Sequence, residues 1–209
     1  MRAIALALLL LFAPALPAVA SEADFKAAQE RFDAGDFQGA IALFTKAIDS
    51  GQLPQKMLAD AYYERGNSYR RLNRQEEAIA DYKSAVHIEP NFHEAHYNMG
   101  NAYSSLKKNP EAIAAYGQAL RAKPDYFPAL VNRGNRYLDM KQYARALTDY
   151  DAAIKIKADF AIAWNNRGLA LENLGRRQEA IASYRRAIAL DPNYRTPREN
   201  LKRLTGQES

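Results

Sequence analysis

Histidine is the side chain that titrates near neutral pH unaided, and this 209-residue chain holds three of them, His87, His93 and His96, and no cysteine. His93-Glu94-Ala95-His96 sets two histidines around a glutamate. A zinc-protease helix needs one more residue between the histidines, so that both share a face, and a third ligand elsewhere. The spacing falls short, and His96 reads as a packing residue. No phosphate-cradling glycine loop, nucleophile elbow or paired-cysteine motif occurs, and the acidic residues form no recognisable catalytic setting. The residues point away from an enzyme, a metal, a cofactor, a small-molecule substrate or nucleic acid.

Two other residue sets invite a chemical reading. Asparagines recur as Asn98, Asn132 and Asn166, and again as Asn67, Asn101 and Asn135. Asparagine is a mediocre helix former, so its regular use inside helices needs a reason. Arginines recur as Arg65, Arg133 and Arg167, with Met99 in the same register. Sixteen positions after each stand Asp81, Asp149, Ser183 and, for Met99, Ala115. Arginine goes with Asp or Ser, and methionine with Ala. This co-variation along the chain predicts charge-assisted bonds, Arg65 to Asp81 and Arg133 to Asp149, between neighbouring helices.

These columns belong to a repeat. Gly66, Gly100, Gly134 and Gly168 follow one another at a constant step of thirty-four positions. Ala78, Ala112, Ala146 and Ala180 keep the same step, as do Tyr82, Tyr116, Tyr150 and Tyr184, and Ala85, Ala119, Ala153 and Ala187. Pro90, Pro124 and Pro192 hold it too, with Ala158 in the gap. Such a period means stacked supersecondary units, none of which can bury its apolar face alone. Gly66 and its equivalents are expected opposite Ala78 and its equivalents, where small side chains let two backbones approach.

Large-x-x-x-Gly-x-x-Tyr, then Ala-x-x-x-Tyr, then Pro resembles the tetratricopeptide repeat, most clearly in Trp164, Gly168, Ala180, Tyr184, Ala187 and Pro192. The resemblance implies an all-α right-handed superhelix of about eleven helices. It divides the chain into five repeats, 21–54, 59–92, 93–126, 127–160 and 161–194, followed by a capping helix and tail at 195–209. The first copy is degenerate, with Ala28 for the glycine and Asp24 for the large residue, while Ala40, Phe44 and Ala47 mark its second helix. The interval from Ala40 to Ala78 exceeds the common step by four, so four extra residues near Gly51 to Leu58 are expected to lengthen a turn. Thr196-Pro197-Arg198-Glu199 reads as a capping box, and Asn109-Pro110 as a cap followed by proline. Leu201 and Leu204 form the apolar stripe of the closing helix.

The resemblance also implies a function, a non-catalytic scaffold binding other proteins or peptides. In peptide-binding members, asparagines at these places face a concave groove and bond a ligand backbone. The implied groove residues are Asn67, Asn98, Asn101, Asn132, Asn135 and Asn166, with Tyr63 and Tyr97 beside them, their amides free to meet peptide units. Members that grip a terminal carboxylate carry lysines where this chain has Tyr63, Tyr97 and Val131, and basic residues where it has Pro128, Asn132, Ile162 and Asn166. That clamp is not expected. The alternative is a structural part of an envelope assembly that contacts partners through outer faces and ends.

The N-terminus has a secretory pattern: Met1-Arg2, an apolar run from Ala3 to Phe12, Pro14 and Pro17, then Ala18-Val19-Ala20 before Ser21. Cleavage is expected between Ala20 and Ser21, giving a periplasmic or secreted protein; an uncleaved segment would act as a membrane anchor instead, the one route to membrane contact. The net charge of +5 is spread along the chain apart from Arg176, Arg177, Arg185, Arg186, Arg195, Arg198, Lys202 and Arg203, which read as a solvated face.

Overall fold

A computed structural model describes residues 17–206. Most of the secretory pattern, Met1 to Leu16, lies outside the described residues, as do Gln207, Glu208 and Ser209. The described residues form eleven helices and no strand. They are α1 (Pro17–Asp33), α2 (Phe37–Asp49), α3 (Gln55–Arg71), α4 (Gln75–Ile88), α5 (His93–Ser105), α6 (Asn109–Ala122), α7 (Phe127–Asp139), α8 (Tyr143–Ile156), α9 (Ala161–Asn173), α10 (Arg177–Leu190) and α11 (Arg195–Thr205). The expected all-α superhelix is what the chain forms. No helix among the described residues is long and apolar enough to cross a membrane.

Each helix packs on the one before and the one after it. The first helices of neighbouring pairs also touch, α1 on α3, α3 on α5 and α7 on α9. The odd-numbered helices therefore line the inner face of the curve, and the even-numbered ones form its outer layer. Each pair turns back through one left-handed residue: Gly35, Asn73, Lys107, Lys141 and Gly175 have φ of +81°, +60°, +58°, +57° and +75°. The two lysines hold a conformation that L side chains rarely adopt, so the surrounding packing imposes it.

The tightest contact inside each pair is glycine on tyrosine, and at Gly66 the Ala78 carbonyl also comes within 3.3 Å of an added Cβ, the backbone approach the spacing suggests. A Cβ on Gly66 would lie 2.9 Å from the Tyr82 ring, and one on Gly100 2.6 Å from the Tyr116 ring. Gly134 and Gly168 meet Tyr150 and Tyr184 in the same way, at 2.9 and 2.6 Å. The four rings are essentially fully buried. Alanine fits in the first pair, where Ala28 is fully buried in a cluster with Phe44.

Three local expectations are corrected. The four extra residues lengthen a helix, not a turn: α3 has 17 residues where α5, α7 and α9 have 13. Gln55–Leu58 add one helical turn, which satisfies backbone groups that a longer loop would leave to water. The capping box at Thr196 does not form, because α11 starts at Arg195 after Tyr194, with no side-chain cap. Asn109 is likewise already helical, behind Lys108, and its Oδ1 is buried without a partner. The shared physical cause is the preceding turn. Tyr194 donates its N–H to Asp191 and Lys108 donates its own to Tyr103, so the recurring turn sets the helix start before a side chain can.

The last helix closes the array as expected. Leu201 and Leu204 pack against the cluster containing Leu171, Ala180 and Tyr184. Arg177 donates to the Leu204 carbonyl, and Arg203 pairs with Glu172.

Candidate functional site

The inner face carries the asparagine columns, and the structure brings them together more closely than their spacing suggests. The Tyr82 hydroxyl donates to Asn67 Oδ1 at 2.8 Å, and Asn98 Nδ2 in the next pair donates to the same oxygen at 2.9 Å. Asn98 Nδ2 also donates to the Tyr63 hydroxyl at 3.1 Å. One pair further on, Tyr116 and Asn132 both donate to Asn101 Oδ1, at 2.8 and 3.0 Å, and Asn132 donates to the Tyr97 hydroxyl at 3.1 Å. Tyr150 and Asn166 share Asn135 Oδ1 at 2.7 and 2.9 Å. Val131 stands where Tyr63 and Tyr97 do, so Asn166 lacks the second acceptor.

The expectation of free amides is therefore corrected. Each carbonyl of the Asn67 column accepts from the buried tyrosine of its own pair and from an amide of the next, and a carbonyl has two lone pairs. The network ties second helix to first helix and repeat to repeat. Burial pushes the hydroxyls of Tyr82, Tyr116 and Tyr150 well above the usual tyrosine range, so they stay protonated donors.

At both ends the ladder changes composition. Asn200, in the register of Asn98, Asn132 and Asn166 but on α11, donates to Asn165 Oδ1 at 3.2 Å. Leu169 replaces the asparagine of the last repeat, and the Tyr184 hydroxyl turns to Glu172 instead, at 2.8 Å. Arg203 and Tyr184 together hold the Glu172 carboxyl below its usual range, the arginine being the larger cause. At the other end Glu64 takes the place of Asn98, Gln29 that of Asn67, and Phe44 that of Tyr82.

Two cavities open on this face at equivalent places, two repeats apart. The first, about 260 Å³, lies between the first and second repeats and is lined by Gln29, Phe32, Asp33, Phe44 and Glu64. The second, about 210 Å³, lies between the third and fourth. Asn101, Ser104, Ser105 and Tyr116 line it from one repeat, and Asn132, Asn135 and Arg136 from the next. Here Asn135 Nδ2 and Asn132 Oδ1 have no hydrogen-bond partner among the described residues, so the ladder keeps one donor and one acceptor open. Burial, reinforced by Asp60 and Asp33, pushes the Glu64 carboxyl above its usual range, against the pull of the Asn67 amide.

Sequence spacing found Asn67, Asn98, Asn101, Asn132, Asn135, Asn166, Tyr63 and Tyr97, and the structure sets them on one face. It missed Asn200, although its place one full repeat step after Asn166 was the signal. It also missed Glu64, Ser104, Ser105 and Arg136, which depart from their columns instead of repeating them.

Elsewhere the expected pairs are present. Arg65 grips Asp81 with two bonds of 2.8 and 2.7 Å, and Arg133 grips Asp149 with the same two distances. Arg167 bonds Ser183 at 2.7 Å, and Met99 packs with Ala115. Arg65 also reaches Thr45, and Arg167 reaches Asp151, both in the preceding repeat. His96 is buried and its Nε2 lies 2.9 Å from the Pro90 carbonyl, as Trp164 Nε1 lies 2.8 Å from that of Ala158. That matched geometry makes His96 a packing residue.

Comparisons with known proteins agree with this architecture. A family model described as TPR repeat matches residues 66–107 and 134–175, and one described as Tetratricopeptide repeat matches 93–126 and 161–194. Together they take in more than half of the chain. A crystal structure of MamA protein is 25% identical, with a TM-score of 0.76, over 83% of this chain and 92% of that one. The first TPR of Spaghetti, bound to an HSP90 peptide, is 27% identical with a TM-score of 0.53, over 55% of this chain and 90% of that one. YrrB, described as a TPR protein with an unusual peptide-binding site, shares the fold at 20% identity and a TM-score of 0.76, over 86% and 90%.

Proposed function

Since the chain belongs to the tetratricopeptide-repeat family, we propose that it is a non-catalytic scaffold that grips an extended segment of another protein along its inner face. The observation that carries this reading is the second cavity. There the asparagine ladder leaves an amide N–H of Asn135 and the carbonyl of Asn132 unpartnered beside Ser104, Ser105 and Arg136. A peptide unit presents one N–H and one carbonyl, and Asn132 Oδ1 and Asn135 Nδ2 offer the acceptor and the donor they need, whatever the ligand side chains are. The Spaghetti domain's bound peptide supports the reading by analogy of fold.

The ladder acts chiefly by holding the groove in shape. A rigid, pre-bonded wall orders little on binding, so more of the contact energy appears as affinity. The N-terminal segment is read as an export signal, which places the scaffold in the periplasm or outside the cell. The intact mass of the exported protein tests that: loss of the segment from Met1 to Ala20 is expected, and its retention would mean an anchor.

The groove reading is tested by affinity capture from an envelope extract. Wild type is compared with Asn132→Ser/Asn135→Ser and with the outer-helix variant Lys83→Glu/Gln118→Glu, each checked for helicity. Loss of the captured partners on the groove change alone is expected. Loss on the outer change alone would move the function to the outer faces, as in an assembly component.

A further inference from the structure

The two cavities are the same place in the repeat, built with opposite chemistry. Gln29, Phe32, Asp33 and Phe44 of the first repeat correspond in register to Asn101, Ser104, Ser105 and Tyr116 of the third. Glu64 corresponds to Asn132. The first cavity is lined by two aromatic rings, of which Phe44 is fully buried, and by two carboxylates. Among the described residues neither Glu64 nor Asp33 has a cation within ion-pair distance, and the charges that act on Glu64 are Asp60 and Asp33, both carboxylates. In the second cavity Arg136 carries the charge and the Asn135 amide is the open donor, while Ser105 already donates to the Asn101 carbonyl at 3.1 Å and Ser104 is engaged with the Tyr116 hydroxyl.

Arg136 is also a departure from its column, which holds Ser68, Ala102 and Ala170. Its ion pair with Asp139, 3.1 Å long, joins neighbours on one helix and leaves Asp139 half in solvent. Such a pair contributes little, so the guanidinium keeps N–H groups for another anion.

Resting on the groove reading above, we infer that the bound segment is charge-patterned: a basic side chain enters the Glu64/Asp33 cavity, and an acidic side chain enters the Arg136/Ser104/Ser105 cavity. A lysine or arginine suits the first because its alkyl stem can lie along the partly exposed Phe32 ring while the head meets the carboxylates. A carboxylate suits the second because it accepts from several donors at once. The spacing follows from geometry. Packed helices lie about 8–10 Å apart, so two repeats separate the cavities by about 16–20 Å. An extended chain advances roughly 3.3 Å per residue, which puts the two charged residues five or six positions apart.

The test uses the full mature chain and end-capped, dye-labelled twelve-residue Gly/Ser/Ala peptides, read by fluorescence anisotropy. The peptides carry Lys and Glu six apart in either order, or Lys at both places, or Glu at both. The expected result is that one of the two mixed orders binds at least about tenfold tighter than either like-charged peptide. Arg136→Ala, which copies Ala102 and Ala170, should then erase the preference for the acidic residue alone. Glu64→Lys should exchange the preference for the basic residue for one for an acidic residue. Equal affinity for all four peptides, with binding still lost in Asn132→Ser/Asn135→Ser, overturns the charge pattern and leaves the groove standing. Binding of none of the four overturns both readings together.

Discussion

The first and third inter-repeat cavities share a backbone and differ in what their side chains are occupied with. Around the third, Asn101, Asn132 and Asn135 are bonded to buried tyrosines and to each other, and one donor and one acceptor are left over. Around the first, Phe44 has no hydroxyl, Gln29 replaces the bridging asparagine, and Glu64 faces the space unneutralised. One site is a structural joint with a small open edge. The other is held by apolar packing, with Phe44 and Ala28 in one cluster with Ala61 of the next repeat, and keeps two carboxylates at the cavity. A repeat protein can thus vary the side chains of one geometry from copy to copy, because its energetics are close to a sum over neighbouring units.

The sharpest way to break this contrast is to cut the joint. Asn132→Ala with Asn135→Ala orphans the buried hydroxyl of Tyr150 and takes a donor from Asn101. Each unsatisfied buried group costs about 1–3 kcal/mol, so a loss of about 2–5 kcal/mol is expected in urea unfolding. Gln29→Ala at the first cavity should cost no more than about 0.5 kcal/mol, as surface changes do. Equal costs at the two sites would erase the distinction.

The glycine column offers a second comparison. Gly134→Ala would drive a methyl into the Tyr150 ring, 2.9 Å from the new Cβ, with that hydroxyl anchored on Asn135. Overpacking of this kind costs about 1–3 kcal/mol. Ala28→Gly in the first repeat removes a methyl that Phe44 accommodates, with a helix-propensity cost of about 1 kcal/mol. Thermal midpoints of the two variants measure the difference.

The smallest effect is electrostatic. Glu64 in the folded chain holds its proton above the ordinary value of 4.5, so the folded state binds more protons than the unfolded one in that range. Its contribution favours folding at low pH and is lost as pH rises through the folded value. Glu64→Gln should therefore be the more stable protein at pH 7. The advantage should vanish on acidification to below 4.5. Glu172 has the opposite sign: its lowered value gives stability above the usual carboxylate range that fades as pH falls. Stability against pH for Glu64→Gln and Glu172→Gln should diverge in opposite directions, and parallel curves would remove the reading.

Much of this architecture was legible in the residues. The constant repeat step, the Gly, Ala and Tyr columns and the Arg/Asp co-variation identify the helix pairs and two ion pairs, because a repeat writes the same packing problem several times. Periodicity also marks which residues share a face. It does not say what their polar atoms bond to, and so the asparagines looked free. Tyr82, Tyr116 and Tyr150 lie 15 residues from their asparagine partners, and the inter-repeat amides 31 residues away. Only the stacking of one pair on the next brings those atoms to one point.

Departures from the columns behave the same way. Glu64, Arg136 and Phe44 are visible in the sequence as exceptions, but an exception on a buried ladder and one at the mouth of a cavity look alike in one dimension. The chain itself determined that helices pair, at what step the pairs recur and which arginines meet which aspartates, since those depend on local spacing and side-chain type. The tertiary structure decided which hydrogen bonds close, which two cavities stay open and with what charge, since those depend on how neighbouring repeats sit against each other.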